Sequence, residues 1–291
     1  MDETNENLEI NKIEKAPDRI EVLKKIEEYE LEGKFDIDVE NDPPQTRTLQ
    51  PKEVDFLRKK LSSKIRRHFA YSGAKKFMNK MQKLRMLQVK EVKGLENLKN
   101  CKSGAIITCN HFNAFDSFIT QIMFESAKLK RRKLYRVIKE GNYTDFPGLF
   151  GFIMRNYNTL PLSSNKRVMV ELMNAVSKIL KHGDFVLIYP EQSMWWNYRK
   201  PKPLKDGAFK FAVKNNVPVL PVFITMEDSD IVGPDGFPVQ SHTINIGKPI
   251  YPKENQDSKT NIDYMKSENS RVWKEIYEST YGVSLTYTTR T

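Results

Sequence analysis

The stretch GAIITCNHFNAFD, Gly104–Asp116, decides the fold, because an apolar run stops abruptly at Asn110-His111 and an acid follows. Ala105, Ile106, Ile107, Thr108 and Cys109 are small, β-branched or apolar and are bounded by Gly104 and Asn110, which predicts a short strand buried on both faces. From Phe112 onward, Phe115, Phe118, Ile119, Ile122 and Met123 recur at three- and four-residue intervals and predict a helix. His111 then falls in the turn at a carboxyl end of the sheet, where open α/β sheets place their ligands. An imidazole exchanges its proton near neutral pH, and a carboxylate on Nδ1 fixes the tautomer that leaves Nε2 free to accept one. Asp116 is the carboxylate in reach. Residues five apart do not share a helix face, so the pairing needs His111 in the turn and Asp116 in the first helical turns.

Downstream, strands at Leu134–Lys139, Tyr157–Leu162, Phe185–Tyr189 and Val217–Thr225 alternate with helices such as Arg167–His182. That alternation predicts an α/β fold, a mainly parallel sheet flanked by helices. A late strand at Ser241–Ile250, a closing helix at Ile262–Thr280 and a loose Thr-rich tail complete it. Upstream, Met1–Ala16 is charged and poor in apolar residues, the composition of a disordered segment. Asp18 caps a helix running to Leu31, Gly33 closes it, and a loop follows at Asp42-Pro43-Pro44. From Pro51, Leu57, Leu61, Ile65, Phe69, Phe77 and Met81 lie on a near four-residue period with Lys or Arg between them, and Ser72-Gly73 divides the stretch into two helices. The chain thus divides into an acidic, partly disordered segment (1–50), a basic amphipathic helical membrane-surface region (51–98) and an α/β domain (99–291). There is no internal repeat, P-loop, dinucleotide fingerprint or nucleophile elbow.

The 291 residues carry a net charge of +11, unevenly spread. Residues 1–50 hold fifteen acids against seven bases, and residues 51–100 hold four acids against fifteen bases. The basic block implies an anionic partner: a membrane surface, a nucleic acid or an acidic carrier protein. Cys101 and Cys109 flank one strand, too far apart when extended to bridge, so they read as packing thiols in a reducing compartment. The acidic N-terminus argues against a secretory signal. The longest apolar run, Val217–Met226, contains two prolines and is too short to span a bilayer. A protein that lies on a cytoplasmic membrane face without crossing it fits these features.

Further motifs sit at strand ends. Lys139 ends one strand, and Pro147-Gly148-Leu149-Phe150-Gly151-Phe152-Ile153-Met154-Arg155 leads to Arg155 before the next. Phe185–Tyr189 runs into Pro190-Glu191-Gln192-Ser193, and Val217-Pro218-Val219-Leu220-Pro221-Val222 reads as a wall-building strand. In order and content these motifs, from Lys99 to Met226, resemble the glycerolipid acyltransferase family, typified by 1-acylglycerol-3-phosphate acyltransferase. His111 and Asp116, preceded by Asn110, match its histidine–four-residues–aspartate motif. Lys139, Pro147, Gly148 and Arg155 match the second, Tyr189-Pro190-Glu191 the third and Val217–Val222 the fourth.

The resemblance implies that an acyl group passes from acyl-CoA or acyl carrier protein to the hydroxyl of lysophosphatidic acid, with no cofactor and no metal. His111 is implied as general base and Asp116 as its partner, Asn110 as a substrate-binding residue, Lys139 and Arg155 as holders of the acceptor phosphate, Glu191 as a ligand of acceptor hydroxyls, and Gln192, Ser193 or backbone amides as oxyanion donors. Two departures stand out. Glu191-Gln192-Ser193-Met194 replaces the usual Glu-Gly-Thr-Arg, leaving Arg199 and Lys200 as substitutes for the arginine, and Asn113 replaces the usual serine after the histidine. Trp195 and Trp196 read either as interfacial anchors or as core aromatics. An acceptor other than lysophosphatidic acid, a membrane-bound scaffold without turnover, and a basic nucleic-acid-binding protein are the rival readings; the last leaves the strand-end motifs unexplained, so no nucleic acid is expected as partner.

Overall fold

The computed structural model describes residues 14–40 and 47–289. In chain order its elements are α1 (Pro17–Leu31), α2 (Leu61–Lys83), β1 (Gln88–Lys93), α3 (Leu95–Lys99), β2 (Ala105–Cys109), α4 (Asp116–Ser126), β3 (Leu134–Ile138), α5 (Glu140–Thr144), α6 (Gly148–Asn156), β4 (Thr159–Pro161), α7 (Lys166–Lys181), β5 (Phe185–Ile188), α8 (Gly207–Lys214), β6 (Val219–Val232), β7 (Pro238–Ile246) and α9 (Ser258–Tyr281). The strands form one seven-stranded sheet in the order β1-β7-β6-β2-β5-β3-β4. All pairs are parallel except β6 with β7. The mainly parallel sheet flanked by helices is therefore observed.

β2 is a central strand, pairing Ile106 with both Val186 and Val219. Ile106 packs on one face with Val168, Leu172 and Val176 of α7 and Phe209 of α8. Ala105, Ile107 and Cys109 pack on the other with Ile119 and Met123 of α4 and Met78 of α2. This period-two division is why the strand reads as apolar throughout. Since β2, β5 and β3 are parallel, the residues after Cys109, Ile188 and Ile138 all emerge at one edge of the sheet. Cys101 and Cys109 are buried free thiols.

Several boundaries differ from expectation. α4 starts at Asp116 rather than Phe112. α1 opens with Pro17, and Asp18 lies inside its first turn instead of capping it. Proline's fixed φ and missing N–H suit that first position. Ser72-Gly73 does not divide α2, which is one helix of 23 residues. Tyr71 stacks on Tyr157, and Phe77 contacts Phe115, Phe118 and Phe150. This packing outweighs the roughly 1 kcal/mol that an internal glycine costs a helix. Residues 51–60 are not helical; Val54 and Phe56 are buried in the α7 side of the core. β1 pairs with β7, so the sheet draws on chain before residue 99. The Thr-rich tail is tied down, with Thr288 N–H donating to Glu30 Oε1 (2.9 Å) and Thr289 Oγ1 to the Glu30 carbonyl (2.8 Å). Residues 1–13, from the expected disordered segment, and the loop at Asp42-Pro43-Pro44 lie outside the described residues.

Candidate active site

At the carboxyl edge, Asn110 ends β2. Its amide N–H donates to the Ile224 carbonyl (3.0 Å) and its Oδ1 accepts from Ile224 N–H (2.8 Å), continuing the β2–β6 pairing by one side chain. Asn110 is buried and fully used, so the structure makes it a strand fastener rather than the substrate ligand expected. The chain then turns. Asn113 Oδ1 accepts from Phe115 N–H (3.0 Å), an Asx turn that launches α4 one residue before Asp116. His111 and Asp116 are thereby brought together: Nδ1 lies 2.5 Å from Oδ2, with the aspartate side chain 1% exposed and the imidazole 23%. An acceptor-only carboxylate at Nδ1 requires Nδ1–H, so the lone pair is on Nε2.

Tyr189, one residue past β5, completes the arrangement. Its ring stacks on the imidazole at 4.2 Å and 19°, and its hydroxyl donates to Asp116 Oδ1 (2.7 Å), with Ser117 Oγ 3.1 Å away. Burial first, then the Asp116 charge, hold the phenol well above its ordinary pKa, so it remains a donor. The sequence reading placed Tyr189 in a motif without a role. A tyrosine hydroxyl at a strand end beside a His-Asp pair is the signal that could have assigned one.

Glu191 does not face an acceptor. It is 2% exposed, its Oε2 accepts from His111 N–H (2.9 Å) and its Oε1 from Lys202 N–H (2.8 Å). The Lys202 ammonium, also buried, lies 3.7 Å from Oε2 and donates to Ser193 O and Oγ, both at 2.8 Å. Burial drives both partners toward neutrality, raising the Glu191 carboxyl and lowering the Lys202 ammonium. Ser193 is fully buried, its hydroxyl donating to the Phe35 carbonyl (2.5 Å), which removes it as an oxyanion donor. Gln192 is exposed and takes φ +65°. It stands where the resembled family carries glycine, the residue for which this conformation is free.

The N-terminal segment straps this turn. Asp38 Oδ1 accepts from Met194 N–H (2.7 Å), Ile37 O from Trp195 Nε1 (2.8 Å), and Lys205 pairs with Asp36 (2.8 Å). Trp195 and Trp196 are buried against Val22, Ile26 and Val39, so they are core aromatics and not interfacial anchors. Lys139 emerges after β3 and pairs with Asp38. Arg155 departs from expectation: its Nη1 donates to the Tyr143 (3.3 Å) and Phe146 (3.0 Å) carbonyls, pinning the α5–α6 turn. Arg199 pairs with Asp228 (2.7 Å) and Lys200 with Glu30 (2.6 Å), so neither replaces the missing arginine at the turn; Lys202 is the cation beneath it. Among the described residues no group of His, Cys, Asp and Glu could hold a metal ion.

None of the curated proteins matches the chain. Among solved structures, the crystal structure of the 1-acyl-sn-glycerophosphate (LPA) acyltransferase PlsC from Thermotoga maritima is similar, at 22% identity and a TM-score of 0.49, with 76% of this chain and 85% of that chain covered. Residues 89–225, from β1 into β6, match the acyltransferase family and enclose His111, Asp116, Tyr189 and Glu191.

Proposed function

We propose that the protein transfers a fatty acyl group from an acyl-CoA or acyl carrier protein thioester to the hydroxyl of lysophosphatidic acid. The observation that carries this reading is the His111–Asp116 contact at the carboxyl edge, with the imidazole reachable from solvent and Nε2 unencumbered by the carboxylate. Nε2 takes the acceptor hydroxyl's proton as its oxygen attacks the thioester carbonyl, and Asp116 steadies the imidazolium. When the tetrahedral intermediate collapses, the C–S bond breaks and the imidazolium returns the proton to the departing thiolate. The exposed Gln192 side chain and nearby backbone amides are the remaining candidates for the oxyanion. Lys139 is the proposed cation for the acceptor phosphate, in exchange for Asp38.

The membrane side of the proposal rests on α2. Leu61, Ile65 and Phe69 are 73, 50 and 63% exposed, so this half of the predicted stripe faces outward among lysines and arginines while Ala70, Ala74 and Met78 pack inward. No helix among the described residues is long and apolar enough to cross a membrane. An interfacial helix on the cytoplasmic face is the proposed location. A different lipid or alcohol acceptor is the second reading, favoured by the absence of the third-motif arginine. Thioester consumption by the wild type and His111→Ala, measured against a panel of lysolipids and simple alcohols, tests both. Base loss should lower turnover about 100- to 10,000-fold with the fold intact. Near-wild-type turnover by His111→Ala would overturn the mechanism.

A further inference from the structure

At the opposite edge of the sheet, the loop from α4 to β3 reads Ala127-Lys128-Leu129-Lys130-Arg131-Arg132-Lys133. It borders a cavity of about 440 Å³ that Tyr71 and Lys75 of α2 and Tyr157 close from the other side. Several lysines elsewhere in the molecule carry an ion pair. Lys90, Lys205 and Lys266 each meet a carboxylate. The ammonium groups of Lys75, Lys128, Lys130 and Lys133 have no ion-pair or hydrogen-bond partner among the described residues. The one acid lining the cavity, Glu125, accepts from Tyr71 OH (2.7 Å) and Gln121 Nε2 (2.9 Å).

The loop is held in place, and its lysines line the cavity. Arg132 turns inward to the carbonyls of Gly183, Cys101 and Ser103 and lies over the Phe185 ring. Lys128 and Arg131 adopt φ of +51° and +65° without being glycine, a conformation that persists only where the surroundings impose it. Behind the wall, the buried Arg136 donates to Gln121 Oε1 (2.6 Å) and sits 5.1 Å from the Tyr157 ring, with Nε and Nη1 unpartnered. Like charges lining one cavity repel unless an anion joins them. At 100° per residue on α2, Lys75 lies about 40° from Leu61, on the flank of the exposed apolar stripe, while Tyr71 lies about 20° from the inward-packed Met78.

We propose that this cavity is a binding site for the phosphate headgroup of an anionic glycerophospholipid in the bilayer, separate from the His111 site. The ammonium groups lining one cavity suit a phosphate, the Tyr71–Tyr157 pair suits the amphipathic membrane boundary, and the exposed stripe that Lys75 flanks on α2 points to a lipid source. The site rests on the proposed membrane-facing role of α2 only for that source.

Full-length wild type, Lys128→Gln/Lys130→Gln/Lys133→Gln, and Lys64→Gln/Lys76→Gln/Lys80→Gln, which removes equal charge elsewhere on α2, would be floated with vesicles of phosphatidylcholine alone or with phosphatidic acid. At about fivefold per lysine at the surface, the loop variant should lose roughly a hundredfold in affinity for the anionic vesicles and little for the neutral ones. The α2 control should lose severalfold less. Equal losses in the two variants would reduce the effect to general electrostatics and overturn the site. Displacement from vesicles by millimolar inorganic phosphate would overturn the lipid source, as would lysine-dependent binding to duplex DNA of comparable strength. Leu61→Ser/Ile65→Ser/Phe69→Ser tests the helix separately: wild-type flotation of that variant would remove the membrane role of α2, whatever the loop lysines do.

Discussion

Replacing Glu191 by glutamine should cost stability before it costs substrate affinity. Glutamine has the same shape, but its single amide oxygen cannot accept from both His111 N–H and Lys202 N–H, which now use the two carboxylate oxygens. One buried donor is left unpaired, at about 1–3 kcal/mol. The Lys202 ammonium, 3% exposed, also loses its one charge partner within 4 Å among the described residues. A buried charge stranded by removal of its partner costs about 3–5 kcal/mol, part of which Lys202 recovers by releasing its proton. A total of roughly 4 kcal/mol or more is a large share of the stability of an ordinary domain. At about 2–4 °C per kcal/mol, thermal unfolding should come at least roughly 10 °C earlier. Glu191→Gln/Lys202→Met removes both charges and should recover about half of the loss. Melting curves of the three proteins, with acceptor KM measured at a temperature where all are folded, decide the matter. A Glu191→Gln protein as stable as wild type but with a raised acceptor KM would return Glu191 to the substrate and refute the scaffold assignment.

Tyr189→Phe keeps the ring over His111 but removes the bond to Asp116, worth about 1.5–3 kcal/mol to a charged acceptor; kcat should fall roughly 10- to 100-fold with KM little changed, and a change confined to KM would argue against the assignment. Burial pushes the His242 imidazole down to about 4 against an ordinary 6.5. The folded state therefore holds it neutral, acid protonates the unfolded chain first, and stability should decline by about 3 kcal/mol as pH falls from 6.5 toward 4 and level off below; His242→Phe should flatten that part of the melting-temperature profile. Lys139→Ala should raise the acceptor KM far more than the thioester KM, whereas Asp38→Asn, which removes the competing carboxylate, should lower the acceptor KM; the same direction for both would disprove the exchange.

The sheet was legible where burial leaves a one-residue-type signature. β2 and β5 are buried at every position and read as unbroken apolar runs. β1, Gln88–Lys93, is an edge strand whose side chains are half-buried or exposed and none fully buried, and its polar composition hid it. α6 was taken for a lead into the next strand because its glycines break the helical pattern. Gly151 is there for close approach, since a Cβ would lie 1.7 Å from the Phe146 carbonyl oxygen. In the site, His111 and Asp116 were legible because chemistry fixes their residue types and their spacing is short. Glu191 was visible but misassigned: a carboxylate after a strand reads the same whether it faces a substrate or a backbone. Lys202 and the Phe35–Asp38 strap had no signature at all, because their partners are tertiary and, for the strap, more than 150 residues away.

The acidic N-terminal segment explains how the third-motif turn keeps its shape without the resembled family's residues. Gln192 at positive φ adds strain that glycine would not, and the missing arginine removes a cation from the turn. Lys202 supplies a cation from inside, bonded to both Ser193 oxygens and paired with Glu191. From outside, Phe35, Ile37 and Asp38 take up the Ser193 hydroxyl, the Trp195 indole N–H and the Met194 N–H. α1 anchors that strap through Val22 and Ile26 against Trp195 and Trp196, and through Glu30 to Lys200, Tyr198 and Thr288. Because Glu191 also grips His111 N–H and Trp195 N–H donates to the His111 carbonyl (3.2 Å), the same assembly fixes the backbone of the proposed base. Residues 17–38, within the segment that composition marks as acidic, thus supply the outer wall of the turn beside the proposed base.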